Sequence, residues 1–308
     1  MNAMYRKLVA NNALYGLVCV LIATLGLSFK AILIKLVYSS DPTIDAATVL
    51  MLRFLFALPF FILILWFAGQ KTEFQRIAVK DIAILFVLGV VGFYVSAILD
   101  FAALTYISAS IERLILFLYP TFVVIISLFV RPEEISARLI VALLLSYVGI
   151  VIVFAGQTQA LASNEITGAF MVFSAALVFA VYTVMSVKPI REHGSIRFTA
   201  YAMLSATAAS VTHTFSTHSV SVLQQSMDVY LLILLMAVFS TVLPLLLMAE
   251  GVKRIGASSS SVISTSGPPI TLGFAFVFLG ESMTPVQLAG SVFVLAGVFF
   301  VTKAYKKQ

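Results

Sequence analysis

Apolar residues in this chain come in long unbroken blocks rather than alternating with polar ones. A helix rising about 1.5 Å per residue needs about 20 apolar residues to cross roughly 30 Å of hydrocarbon. Ten blocks approach or exceed that length: residues 15–37, 46–68, 82–105, 108–130, 136–154, 166–187, 197–214, 229–249, 257–279 and 286–303. The intervening segments are short, the longest running from about Phe215 to Asp228. The pattern predicts an all-α membrane protein of ten transmembrane helices with no soluble domain.

Composition sharpens this reading. Of the 308 residues, 61% are hydrophobic and 10% charged, against about 25% charged in ordinary globular domains. Mean hydropathy is +1.10. The net charge of +6 falls in one set of loops. Arg6 and Lys7 precede the first block; Lys71, Arg76 and Lys80 separate blocks two and three; Arg131 and Arg138 separate four and five. Lys188, Arg191 and Arg197 follow block six, Lys253 and Arg254 follow block eight, and Lys303, Lys306 and Lys307 close the chain. The alternate loops carry Asp41, Asp45, Glu165, Asp228 and Glu281 but no lysine or arginine. The positive-inside rule then places both termini in the cytoplasm, as an even number of spans requires. The basic loops lie beside anionic lipid and do not indicate nucleic acid.

The chain also repeats itself. Residues 103–153 align with 251–301 at a constant offset, so that Pro120 meets Pro268, Glu133 meets Glu281 and Gly149 meets Gly297. The loop before block four has no basic residue, whereas its counterpart before block nine holds Lys253 and Arg254. After those blocks the asymmetry swaps, with Arg131 and Arg138 matched by Leu279 and Val286. Two five-helix repeats of opposite orientation are therefore expected, at 15–154 and 166–303, with a cytoplasmic segment 1–14 and tail 304–308. Inverted repeats are the usual architecture of alternating-access transporters, which bind substrate near the repeat interface.

Each half closes with a proline-bearing span, a short loop with an acid and a glycine-containing last span. With Gly26-x-Ser28-Phe29 and Lys35 in span one, Arg53-Phe54 in span two and Ala103-Leu104 before span four, the chain resembles the EamA-type permeases of the drug/metabolite transporter superfamily. The resemblance covers nearly the whole chain and implies a bacterial inner-membrane permease. Two departures stand out: Leu25 where many relatives have tryptophan, and Lys30 as an extra charge in span one. That span has no acid, which argues against simple proton-coupled export of cations.

Charges inside hydrocarbon cost about 2.5–3.5 kcal/mol each on insertion scales, so they mark function or pairing. Lys30, Arg53, Asp100, Glu112 and Arg113 fall at similar depth by residue count and can meet in one layer. They sum to one positive charge if both acids are ionised. The layer can attract a carboxylate or phosphate, an arginine suiting bidentate contact, or it can form a self-contained salt-bridge gate. The second half offers hydroxyls instead. Ser260 and Ser261 stand opposite Glu112 and Arg113, and Ser264 leads to Gly267-Pro268-Pro269. Proline frees a carbonyl near mid-membrane, making Pro120 and Pro268 markers of the midplane and of a hinge. The same serines can instead serve helix packing. Tyr94, Tyr119, Tyr182 and Tyr201 can contact substrate or pack.

Ala142 and Gly149, like Gly290 and Gly297, recur seven apart and read as close-packing seams. His213 and His218 make an incomplete metal set, and Cys19, the single cysteine, excludes an internal disulfide. The first block is too long for a cleaved signal. The chain has no phosphate-cradling glycine loop, so no ATP-type cofactor is expected. The expected partners are a small-molecule substrate and the lipid bilayer, with Asp100 and Glu112 as candidates for proton coupling. The function expected is secondary-active or exchange transport of a small polar metabolite, amino-acid-like or anionic. A membrane-embedded enzyme on lipid-linked substrates would need a nucleophile beside a positioned base. A receptor or scaffold would usually have larger loops.

Overall fold

The computed structural model describes residues 3–69, 79–103, 106, 115–116, 118–130, 137–154, 163–279 and 285–306. Among them every regular element is helical. In chain order these are α1 (Ala3–Ser40), α2 (Ala46–Gly69), α3 (Val79–Gly89), a π turn (Val90–Val95) and α4 (Ser96–Ala103). There follow α5 (Tyr119–Val130), α6 (Ala137–Phe154), α7 (Ser163–His193), α8 (Ser195–Thr217) and α9 (Met227–Ala237). A second π turn (Val238–Val242) leads to α10 (Leu243–Ile255), α11 (Ala257–Ser264), α12 (Gly267–Leu279) and α13 (Pro285–Lys306).

Among the described residues, six stretches are long and apolar enough to cross a membrane: Asn12–Ser40, Ala46–Phe67, Val79–Ala103, Glu165–His193, Met227–Ile255 and Ala257–Phe278. Tyr119–Val130 and Leu139–Gly149 are apolar but shorter. Helix α8 is too rich in alanine, serine and threonine to stand out by hydropathy, and it packs on α2 and α3. Several helices overrun their apolar blocks by a turn or more, because polar residues such as Ser39, Ser40 and Arg191 continue the helix into exposed ends.

Local chemistry explains where the chain turns. Between α1 and α2, Asp41 Oδ1 accepts from the Thr43 amide at 2.9 Å and the Thr43 hydroxyl at 2.6 Å, which holds its carboxyl below the usual range. Asp45 then caps α2, its two oxygens accepting from the Thr48 amide and hydroxyl, both at 2.8 Å. His218, just past α8, reaches the same carboxylate at 3.2 Å and ties the two helix ends together. Gly194 and Gly256 have φ of 84° and 80°, a left-handed backbone that closes the α7–α8 and α10–α11 turns.

Large side chains from α1, α2, α7, α8 and α9 fill the main core, with Phe54, Phe61, Phe198, Met203 and Met236 fully buried. Many phenylalanines and leucines remain on the surface, Trp66, Phe129 and Phe170 among them. An exposed apolar girdle of this size fits lipid as the surrounding solvent. Helices α6 and α13 pack closely along the expected small-residue seam. A Cβ on Gly149 would stand 2.5 Å from the Gly290 carbonyl oxygen and 2.6 Å from the Val294 nitrogen. Gly149→Val should therefore destabilise the protein by about 1–3 kcal/mol through overpacking. A thermal unfolding curve in detergent checks this; an unchanged midpoint would show that the seam is loose.

Candidate functional site

A cavity of about 280 Å³ lies where α1, α2, α4, α5, α7, α10 and α11 converge. The interruptions in the helices face it. Gly92 and Phe93 of the first π turn, and Ser240 and Thr241 of the second, line its wall. A π turn inserts an extra residue into a helix and frequently accompanies functional sites. The break between α11 and α12 also lines it, through Ser264, Thr265, Gly267 and Pro268. Pro268 and Pro269 have no N–H, so the carbonyls of Ser264 and Thr265 lose their usual helical donors. The amides of Thr265 and Ser266 close α11 with bonds to Val262 and Ile263 at 3.2 and 3.1 Å. The helix restarts with the Ile270 amide on Ser266 at 3.3 Å.

Of the sequence-selected residues, Lys30, Arg53, Asp100, Tyr119, Tyr182, Ser264, Pro120 and Pro268 all line this cavity. Ser260 does not. It is 1% exposed and donates to the Gly256 carbonyl at 2.8 Å, a helix-packing serine. Glu112 and Arg113 lie outside the described residues. Tyr94 stacks edge-on against His213, with centroids 6.0 Å apart, and Tyr201 packs against the core.

Arg53 is 7% exposed. Its Cζ lies 4.9 Å from the Phe54 ring centroid and 6.0 Å from that of Phe101, while Lys30 Nζ lies 5.9 Å from the same Phe101 ring. Ring faces attract cations, so Phe54 and Phe101 stabilise the Arg53 guanidinium without consuming its protons. Asp100 attracts Arg53 electrostatically. Yet Arg53 Nε and Asp100 Oδ1 are both buried and without a hydrogen-bond partner among the described residues. Buried polar atoms are normally bonded, so each such pair of orphans is a place for a ligand or water.

An aromatic wall faces the charges. Tyr182 sits 4.9 Å from Phe93, 5.5 Å from Phe179 and 6.0 Å from Phe198, and Tyr119 sits 5.3 Å from Phe179. The Tyr182 ring covers Gly92 so closely that no Cβ fits there. The Tyr119 hydroxyl donates to Thr183 Oγ1 at 3.4 Å.

Sequence reading missed Phe93, Phe179, Thr183, Ser240 and Thr241 in this wall. For Ser240 and Thr241 the signal is their alignment with Gly92 and Phe93 at the repeat offset. It also missed Glu250, whose partner Arg254 lies one helical turn on. Arg254 donates to Glu250 Oε1 through Nε at 2.8 Å and Nη2 at 2.6 Å. Ser195 donates to Oε2 of the same carboxylate. Arg254 Cζ in turn sits 4.5 Å from the Tyr15 ring, so one cluster ties α1, α8 and α10 at one end of the bundle.

The model of the EamA-like transporter family matches residues 14–155 and again 166–303. The chain is 32% identical over 291 residues to "Uncharacterized transporter YcbK" of Bacillus subtilis (strain 168), covering 93% of this chain and 91% of that protein. It is 26% identical to "Uncharacterized transporter YyaM" of the same organism, over 74% of each chain. An "Uncharacterized transporter" of Archaeoglobus fulgidus is also 26% identical, over 74% of this chain and 80% of the relative. A solved protein crystal structure shares the fold with a TM-score of 0.78 at 16% identity, covering 95% of this chain and 98% of that one.

The buried charges give a stability prediction. Arg53→Leu leaves the Asp100 carboxylate without its nearby cation and should cost about 1–3 kcal/mol or more. Adding Asp100→Leu should restore much of the loss. Unfolding of the two variants in detergent checks this, and a double variant no more stable than the single would show that the charges do not interact.

Proposed function

We propose that this chain, which belongs to the EamA-like transporter family, moves a small polar organic anion across the membrane by alternating access through the central cavity. It is an integral membrane protein with transporters for relatives. The anion reading is carried by one observation: Arg53, buried beside aromatic rings, lines the cavity with an Nε that has no hydrogen-bond partner among the described residues. A self-contained salt-bridge gate would satisfy that atom and Asp100 Oδ1 internally. The orphaned pair instead fits a site that a ligand completes, with two cations to one acid among the described lining residues. Arginine is suited to gripping a carboxylate or phosphate through parallel bonds.

Several features support ten helices in two inverted repeats, at 15–154 and 166–303. The family model matches the chain twice, as two halves. The π turns begin at Val90 and Val238 and helices α5 and α12 at Tyr119 and Gly267, each pair separated by the offset that relates Pro120 to Pro268. A duplication thus extends to the backbone irregularities, not only to matching letters. Such irregular helix at membrane depth is tolerated where it borders a cavity, and paired breaks give each repeat a place to bend. With both termini cytoplasmic by the positive-inside rule, the Ser195–Glu250–Arg254–Tyr15 cluster lies at the cytoplasmic end and ties the inner mouth. The inner membrane of a bacterium is the expected location.

Counterflow in sealed vesicles carrying the purified chain tests the function. Saturable exchange of a labelled organic anion is expected, and Arg53→Gln should weaken its apparent affinity about tenfold or more, the worth of a lost charge-assisted bond. Flux that does not saturate, or that ignores Arg53→Gln, would overturn the anion reading.

A further inference from the structure

Gly92 lines the cavity from the first π turn and is the single small residue in its sequence, Val-Val-Gly-Phe-Tyr-Val. The missing side chain is used by α7, which packs against that turn. A Cβ added to Gly92 would overlap Cγ and Cδ2 of the Tyr182 ring and lie 2.8 Å from Cδ1. Carbon atoms do not pack so closely, so any side chain at this position forces a shift. The atoms met are at the root of the ring, not at its hydroxyl tip, so swinging the far end aside gives no relief. The ring as a whole has to move, or the turn has to draw back.

The surroundings favour one direction. Gly89, three residues earlier, is seated on α8 so tightly that a Cβ there would overlap the Ala202 backbone and the Ser205 hydroxyl. Drawing the turn back would open that seat as well. Within the protein, Tyr182 is hemmed in by Phe93 at 4.9 Å, Phe179 at 5.5 Å and Phe198 at 6.0 Å between centroids, and Phe198 is fully buried. Close-packed interiors have no spare room for a displaced ring. The cavity, which Tyr182 also lines, is the open space beside it.

Resting on the reading of this cavity as the substrate site, we infer that Gly92 is a positioning residue that sets the width of the substrate's apolar body. It acts through Tyr182, whose ring occupies the place of the missing side chain and so lies back from the cavity. The acidic group meets Arg53, and the body takes the room that this seat leaves beside Phe93, Phe179 and Tyr182. A side chain at position 92 pushes the ring into that room and narrows the site to slimmer anions without touching a charge. In the second π turn the position at the repeat offset is Ser240, whose own side chain is buried at the wall. The width is therefore set from the first repeat.

Thiol access measures that width. Cys19→Ala with Ser264→Cys puts one thiol on the cavity wall. In detergent, its labelling by N-ethylmaleimide, N-(1-naphthyl)maleimide and 3-maleimidopropanoate is timed, each rate being divided by that with free cysteine. The naphthyl reagent should react when Gly92 is present. Gly92→Ala should slow it relative to N-ethylmaleimide by about fivefold or more, the lower end of an overpacking penalty. Adding Tyr182→Leu should restore the ratio, and adding Tyr182→Phe should not, because the ring rather than the hydroxyl meets the Cβ. A merely structural role for Gly92 would move all reagents together. An unchanged ratio, exclusion of the naphthyl reagent while Gly92 is present, or no restoration by Tyr182→Leu would overturn the inference. The anion reading is tested separately in the same protein, where Arg53→Gln should slow 3-maleimidopropanoate relative to N-ethylmaleimide. If that ratio stays put, the anion reading falls whatever the naphthyl ratio does.

Discussion

A guanidinium buried inside a helical bundle beside aromatic ring faces, its Nε without a hydrogen-bond partner among the described residues, is the constraint around which this structure is arranged. Removing a charge from water costs several kcal/mol unless something replaces its solvation. For Arg53 the replacement is partial: Phe54 and Phe101 lie beside the cation and Asp100 supplies an opposite charge, but Nε has no hydrogen-bond partner among the described residues. The helices that meet at this point, α1, α2 and α4, face the core mostly with apolar side chains. An incomplete solvation shell in that setting can be completed by an anion or by trapped water. On the proposed anion reading, the same arginine is a cost to the empty protein and a source of affinity for the ligand.

The backbone is irregular where the cavity needs it. A continuous α-helix presents no free carbonyls to a neighbouring space, because each is bonded four residues on. Here two π turns and one proline-forced break lie on the cavity wall. They bring small or polar residues, Gly92, Ser240, Thr241, Ser264 and Thr265, to the surface that a substrate would touch. The end clusters of Asp45 with His218 and Glu250 with Arg254 and Ser195 tie helices at opposite extremities. Between those ties, the proposed repeats have the breaks on which to rock.

Much of this was legible in the sequence, for physical reasons. Blocks of about 20 apolar residues leave helices as the main way to satisfy the backbone in lipid, so element type and order could be read directly. The expense of buried charge pointed to Lys30, Arg53 and Asp100, and proline chemistry pointed to Pro120 and Pro268; all five line one cavity. The prediction was weaker where a residue's role depends on its neighbours across space. Ser260 and Ser264 are one turn apart on the same helix, yet only Ser264 faces the cavity. Phe93 and Phe179 join Tyr182 in a wall because two separate elements, the first π turn and α7, converge, and nothing local distinguishes the two phenylalanines from the other aromatics. The π turns were invisible because their sequences, Val-Val-Gly-Phe-Tyr-Val and Val-Phe-Ser-Thr-Val, have no proline or charge to mark them.

The central claim is that one cavity, lined by Arg53 and Ser264, is reached in turn from both faces of the membrane. Because Cys19 is the single native cysteine, Cys19→Ala with Ser264→Cys gives one reporter thiol on the cavity wall. Labelling it with a membrane-impermeant maleimide, added to the outside or sealed inside vesicles of known protein orientation, measures access directly. Reaction from each side, slowed in both cases by a saturating transported anion, is the predicted result. Reaction from one side alone, with no condition that opens the other, would contradict alternating access and leave the cavity a one-sided binding pocket.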